Sequence, residues 1–553
     1  MPYDGSEIDK IPQPLASDLT VEQIAQEYQE TVAALGGLEP LQTAAEFGRL
    51  LALPGFQANC LRLEVLVHLS VAYCHGKAVP TAQFIRNSFD GLGKGHCGRM
   101  EDPAEDMFVS LVNTPRGNLR IFEGIREGAG FHLQRILDII EGMPDREPFN
   151  RIRDCVEALL KLSEAVAARL GVRANSLGQE IPLAKMPKAI VDQLGTGTRL
   201  LRFEEADLRR LGLSNELLAD FVFNFEEASR LRAQTVGHTD LERRPLARHD
   251  ACLHLLLPTA ISSAITRMLI EYVVSRGLAA NFERALGNAY GQLFSETSIL
   301  GKWLPGPIEF QKILGGAMVG AMTEVDPGRF LHLVFFVDAL DDFLRDGLNG
   351  MNADPKSLGA FLAWHIERAS SEARKNMSFQ DGITLFVNCG FGRALTFELE
   401  DGVPDRWRLE WIGAHNLITL SRLRNFDSLS LWRLLDSREK IAELSTELLN
   451  VNGLLNLVAW SMELGGHLVP HDELPPGFTS IHEGKGVVVV RQNAIRRLRA
   501  SVMADWEPHR VVDLDGRWVK VSKLDRSEFE EERVAPLYGS EDDARGADFA
   551  QSS

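Results

Sequence analysis

One stretch constrains this chain more than any other: the turn Asp326-Pro327-Gly328, then the apolar run Phe330 to Val337, then Asp338. A short apolar run bounded by turn residues and rich in Val and Phe reads as a strand buried on both faces. Such a strand is the natural centre of an α/β core. A carboxylate at its end, here Asp338, stands where open α/β sheets place their chemistry.

The 553 residues correspond to about three domains at roughly 150 residues each. A hydrophobic fraction of 45% with 25% charged residues is the balance of a folded soluble protein with a large core. The net charge of −18 argues against wholesale coating of nucleic acid or of an anionic membrane, and leaves room for a local basic groove. Part of that charge is concentrated near the C-terminus: Asp525, Glu528, Glu530, Glu531, Glu532, Glu541, Asp542, Asp543 and Asp548 stand against three arginines, which reads as a solvated acidic tail.

The six cysteines are scattered and form no CxxC, as expected of reduced cytosolic thiols. The first residues lack a signal-peptide pattern. The most apolar long segment, Leu253 to Val274, carries His254, Pro258, Arg267 and Glu271. It is therefore expected to be a buried helix and not a membrane span. The expected compartment is the cytoplasm, with protein partners and no membrane.

Local patterns give an α+β fold class. The expected organisation is a mainly helical N-terminal domain over 1–190 and a central α/β domain with a mixed sheet over 200–468. A small β-rich domain over 475–536 and a disordered acidic tail over 537–553 follow. Helices are expected over about 20–35, 58–73, 150–170, 252–275, 280–295, 358–366, 429–449 and 453–463, and a set of helices over about 203–232, from apolar residues at helical spacing. Short strands or buried helix starts are expected at 107–112 and 119–122, and strands at 330–337, 383–387, 394–399 and 407–411. The last three read as an antiparallel meander turned by Asp401-Gly402 and Pro404. Further strands are expected at 487–490, 510–512 and 518–521, the last pair joined through Asp515-Gly516.

Most short motifs weigh less than they first suggest. Gly91-Leu-Gly-Lys-Gly-His-Cys-Gly98 lacks the Ser or Thr that follows lysine in a phosphate loop, and reads as a loop. Cys74-His75 and His96-Cys97 do not have the spacing of a zinc site. His249-x-x-Cys252-x-His254 reads as packing at a helix start. Cys389, after the 383–387 strand, is a candidate thiol nucleophile with His332, His365 or His415 as its base. Arg230, Arg232, Arg243, Arg244 and Arg248 form one basic cluster, and Arg491, Arg496, Arg497 and Arg499 another. Arg243, Arg244 and Arg248 are the candidate contacts to a nucleic-acid backbone.

The carboxylates around the opening stretch make the most informative constellation. Glu283 falls on an expected helix, Asp326 precedes the buried strand, and Asp338 ends it. This order resembles the PD-(D/E)xK nuclease-like superfamily, which pairs a helix Glu with a strand-associated Asp and, one strand later, an acid-x-Lys. The resemblance covers about residues 280–345 and departs at the lysine, since Asp338-Ala-Leu340 has leucine there. It implies Mg²⁺ or Mn²⁺ held by Glu283, Asp326 and Asp338; with the motif's lysine missing, Lys312, which precedes Asp326, or an arginine is the candidate cationic helper beside Asp326 and Asp338 in catalysis.

Two function classes follow. One is a binding or scaffold component of a larger bacterial system, with no complete catalytic motif and no cofactor. The other is a metal-dependent nuclease or phosphodiesterase with a degenerate carboxylate site. A cysteine hydrolase built on Cys389 is a further alternative.

Overall fold

The computed structural model describes residues 21–53, 60–92, 109–115, 117–124, 129–170, 197–234, 239–295, 311–313, 316–336, 355–389, 403–414, 417, 420, 428–444, 447–449, 479–482 and 485–489. Those residues form an α+β protein with mixed sheets.

The chain opens with four helices, α1 (Val21–Leu35), α2 (Pro40–Leu51), α3 (Cys60–Tyr73) and α4 (Ala82–Leu92). The Glu39 side chain caps α2 by accepting from the Leu41 and Gln42 amides, and Pro40 fills the first turn where an N–H is not needed. An antiparallel hairpin of β1 (Val109–Thr114) and β2 (Gly117–Phe122) precedes two longer helices, α5 (Ala129–Gly142) and α6 (Phe149–Leu170). α1, α3, α6 and the two strands agree with the expected positions to within a few residues, whereas α2, α4 and α5 were not expected.

The helical set expected over 203–232 is interrupted by short strands. The chain forms α7 (Gly197–Leu201), β3 (Arg202–Phe203), α8 (Glu205–Arg210), α9 (Asn215–Leu218), β4 (Val222–Phe223) and a 3-10 stretch, Phe225–Ala233. Local chemistry cuts it up. Gly212 takes φ +69, Ser214 accepts from the Leu217 amide, and Asn224 accepts from the Glu226 amide. After α10 (Asp240–Arg243), β5 (Leu246–His249) and β6 (Cys252–Leu255) make a hairpin. Together they form a four-stranded sheet ordered β3-β6-β5-β4. The expected helix at 252 therefore begins as a strand, and α11 (Ile261–Ser275) starts only after the Pro258 turn. Then comes α12 (Ala279–Ser295).

The central sheet contains β7 (Gln311–Ile313), β8 (Gly316–Asp326), β9 (Arg329–Phe336), β10 (Asp381–Asn388) and β11 (Trp407–Gly413), in that spatial order. β7, β8 and β9 are antiparallel neighbours. β9, β10 and β11 are parallel, with α13 (Pro355–Ala373) crossing between β9 and β10. The antiparallel meander expected from 383 to 411 is thus corrected. β11 runs parallel to β10 because 18 residues separate them, enough for a crossover. Residues 394–399, 453–463, 510–512 and 518–521 lie outside the described residues, as do 171–196 and the acidic tail.

The apolar run is a strand buried on both faces. Leu331, Leu333 and Phe335 join Ile383, Leu385 and Val387 in a core shared with Phe282, Leu286 and Tyr290 of α12. Phe330, Val334 and Phe386 turn the other way, against Ile366, Ala369 and Ala373 of α13. Each fully buried Phe or Leu contributes about 1.5–3 kcal/mol. The first core runs without a break from the β1–β2 hairpin and α6 to α14 (Ser428–Leu444). The chain then forms β12 (Glu447–Leu449), β13 (Thr479–His482) and β14 (Lys485–Val489), a small sheet ordered β12-β14-β13. Among the described residues no helix is long and apolar enough to cross a membrane.

Candidate functional site

The amino end of the sheet is knit by polar contacts. Gly328 turns β8 into β9 at φ +75, and a Cβ there would lie 1.9 Å from the Ser378 carbonyl, so only glycine fits. Its amide donates to Glu324 Oε1 at 2.8 Å, and Arg329 Nη1 stands 3.3 Å from Asp326 Oδ2. Arg329 also lies over the Trp432 ring of α14 at 4.9 Å, and Arg408 over the same ring at 5.2 Å. Arg408 is bonded in turn to Asp436. The two guanidinium groups clasp α14 to the edge of the sheet through one buried indole.

The α13 face holds a buried polar line. Trp407 Nε1 donates to Thr384 Oγ1 at 2.8 Å, and His332 Nδ1 lies 3.1 Å from the same oxygen. His365 stacks on His332 at 6.4 Å. Burial pulls His332 down to about 3, helped by the charges of His365 and Arg368. Burial likewise pulls His365 down to about 4, with Arg368 adding to it. Both imidazoles are neutral at physiological pH. Outside this line, Trp364 is half-exposed and Met377 fully exposed.

Cys389 lies on the other side of the sheet. It follows β10 in phase with Leu385 and Val387, in the core shared with α12, whereas His332 and His365 lie on the α13 side. Neither histidine reaches it, so the Cys389 pairing expected with His332 or His365 is corrected by the alternation of the strand. His415 lies outside the described residues. The groups that do converge near Cys389 were not signalled by the sequence. Tyr290 of α12 is wholly buried and feels Cys389, Arg135 and Asp138, and burial pushes its phenol well up. Its hydroxyl lies 2.7 Å from His132 Nδ1 of α5. A helix-spaced Tyr and a lone His on different helices carry no motif, so only the fold reveals this contact.

Of the expected metal set, Asp326 is the register partner of Arg329, at the start of β9. Lys312 of β7 pairs with Ala317, and Met318 pairs with Phe336, so Lys312 belongs to the Phe336 end. Glu283 lies on α12, and Asp338 itself is outside the described residues. Among the described residues no group of three His, Cys, Asp or Glu side chains is arranged to hold a metal.

The basic cluster is internally matched. Arg243 pairs with Glu271 at 2.7 Å, and burial keeps the Glu271 carboxyl above its ordinary range against that pull. Arg244 and Arg230 both lie on Glu227, at 2.7 and 3.7 Å. Arg232 donates to the Ala72 carbonyl at 3.0 Å and covers the Tyr73 ring. Arg248 reaches Asn215 at 3.4 Å. Arg230, Arg243 and Arg244 thus face carboxylates, and Arg232 and Arg248 do not. The second cluster, 491–499, lies outside the described residues, as does the 93–98 glycine stretch.

No curated protein and no solved structure matches the chain. A sequence model of the anti-phage protein Upx-like family matches residues 15–551, nearly the whole length of the α+β chain described above, and the chain belongs to that family of anti-phage proteins.

Proposed function

We propose that this anti-phage family member works in the cytoplasm through protein partners, as a binding component of a larger bacterial defence system. The observation that carries this reading is the engagement of Asp326, one of the candidate carboxylates, by Arg329 across the turn into β9. An exposed aromatic and an exposed methionine, Trp364 and Met377, lie on α13 and in the turn that follows it. Both residue types are enriched where protein surfaces meet. The test is to crosslink the full-length chain in phage-infected cells and identify what it holds. Trp364→Ser combined with Met377→Ser is expected to lose both the partner and the protection. Mg²⁺- or Mn²⁺-dependent cleavage of DNA or RNA by the purified chain, abolished by Asp338→Ala, would contradict the reading.

A second reading, a metal-dependent phosphodiesterase of the PD-(D/E)xK nuclease-like kind, is supported by one register. Lys312 opposite Ala317 and Met318 opposite Phe336 set Lys312 at the end of the sheet from which β9 continues to Asp338. In that reading Glu283 and Asp338 hold the ion, Lys312 orients the nucleophile, and Asp326 takes no part.

A further inference from the structure

The β5–β6 hairpin carries chemistry that neither reading uses. Register pairs His249 with Cys252 across the hairpin and Arg202 of β3 with His254 of β6. Cys252 and His254 are two residues apart on one strand, so all four side chains belong to one face of the sheet. Arg202 Nε donates to Cys252 Sγ at 3.0 Å, and Arg202 Nη2 lies 3.1 Å from Glu204. The sulfur in turn raises the Arg202 guanidinium, chiefly through that hydrogen bond.

A second observation stands apart from the sulfur. His254 is 4% exposed, and its Nδ1 has no hydrogen-bond partner. Burial, then the charges of Arg202 and His249, pull His254 down to about 4, so it is a neutral acceptor at physiological pH. The hairpin tip beside it is open to solvent, with Asp250 at φ 53 and His249 exposed. Cys252 is 9% and Cys74 7% exposed, whereas Cys60, Cys155 and Cys389 are at 1–2%. Burial pushes the Cys74 thiol up to about 12 and the Cys155 thiol up to about 11.

We propose that Cys252 is a modification site, a nucleophilic thiol held by Arg202 beside the open nitrogen of His254, and that its reagent is a small hydroperoxide. The Arg202 N–H holds the sulfur on the hairpin, beside its solvent-open tip. In the step, Cys252 sulfur attacks one oxygen of hydrogen peroxide. The S–O bond forms as the O–O bond breaks, sulfur is oxidised to a sulfenic acid, and the peroxide is reduced. The proton leaving the thiol passes by way of His254 to the departing hydroxide, which leaves as water.

The test uses the reduced, full-length chain. Brief iodoacetamide pulses are read by mass spectrometry, and hydrogen peroxide treatment is followed by a sulfenic-acid trap. Cys252 is expected to label about tenfold faster than Cys60, Cys74, Cys155 and Cys389, and to be trapped first. Arg202→Met brings it down to their rate with an unchanged melting curve, and Arg202→Lys restores part of the difference. His254→Gln slows labelling at neutral pH and not at high pH, where solvent takes the proton. Labelling of wild-type Cys252 no faster than the buried thiols overturns the proposal. So does an undiminished rate in a folded Arg202→Met chain. An unchanged rate in His254→Gln removes the assignment of His254.

Discussion

Asp326 holds Arg329 across the Pro327-Gly328 turn, Oδ2 to Nη1 at 3.3 Å, at the amino end of the central buried strand. Both side chains are about a third exposed, so solvent screens the pair. Asp326→Asn is expected to cost about 0.5 kcal/mol in chemical denaturation and to leave phage protection intact. A complete loss of protection in a folded Asp326→Asn chain would place the residue in a reaction.

Trp432 is a far larger contributor. It is 2% exposed, joins the core under the sheet, and is covered by Arg329 and Arg408. Truncating a buried aromatic typically costs about 3–5 kcal/mol. Trp432→Ala should lower the unfolding midpoint steeply. Trp432→Phe, which keeps a ring for both guanidinium groups, should recover most of the loss.

Acid should weaken the fold through its buried imidazoles. His332 and His365 titrate at about 3 and about 4 in the folded chain, against about 6.5 when free. As pH falls below about 6.5 the unfolded chain binds more protons than the folded one, so stability falls with it. The contribution is complete above 6.5 and declines as pH drops toward the folded values. Melting temperatures measured from pH 7.5 to 4.5 should show this slope. His332→Gln, which takes up no proton, should flatten it.

The matched arginines predict weak retention of nucleic acid. Arg243 and Arg244 face Glu271 and Glu227. Arg243→Ala and Arg244→Ala should leave the mobility of a labelled duplex unchanged at low salt. Arg244→Ala should still destabilise the chain, because it also removes a cation from the Phe223 ring. A drop in duplex binding with an unaltered melting curve would give these arginines a phosphate contact.

Much of the fold was legible where one rule dominates. The run from Phe330 is a strand from Arg329 to Phe336, and the periodic segment near 150 is a helix from Phe149 to Leu170. Reading failed where caps and crossovers decide. Ser214 and Asn224 help break a segment read as purely helical into short helices and two short strands. The direction of β11 depends on a connection whose path is not encoded in its turn residues. The site was less legible still. Asp326, a candidate ligand in the sequence, is paired with Arg329 across the turn into β9, which only the strand register shows. Arg202 and Cys252 are 50 residues apart and meet only because β3 pairs with β6.

The most direct test of the account is the efficiency of plating of phage on cells expressing Asp338→Ala at wild-type levels. The account predicts protection equal to that of the unaltered chain. Protection lost with Asp338→Ala, together with Mg²⁺- or Mn²⁺-dependent cleavage of nucleic acid by the unaltered chain and not by the variant, would contradict it.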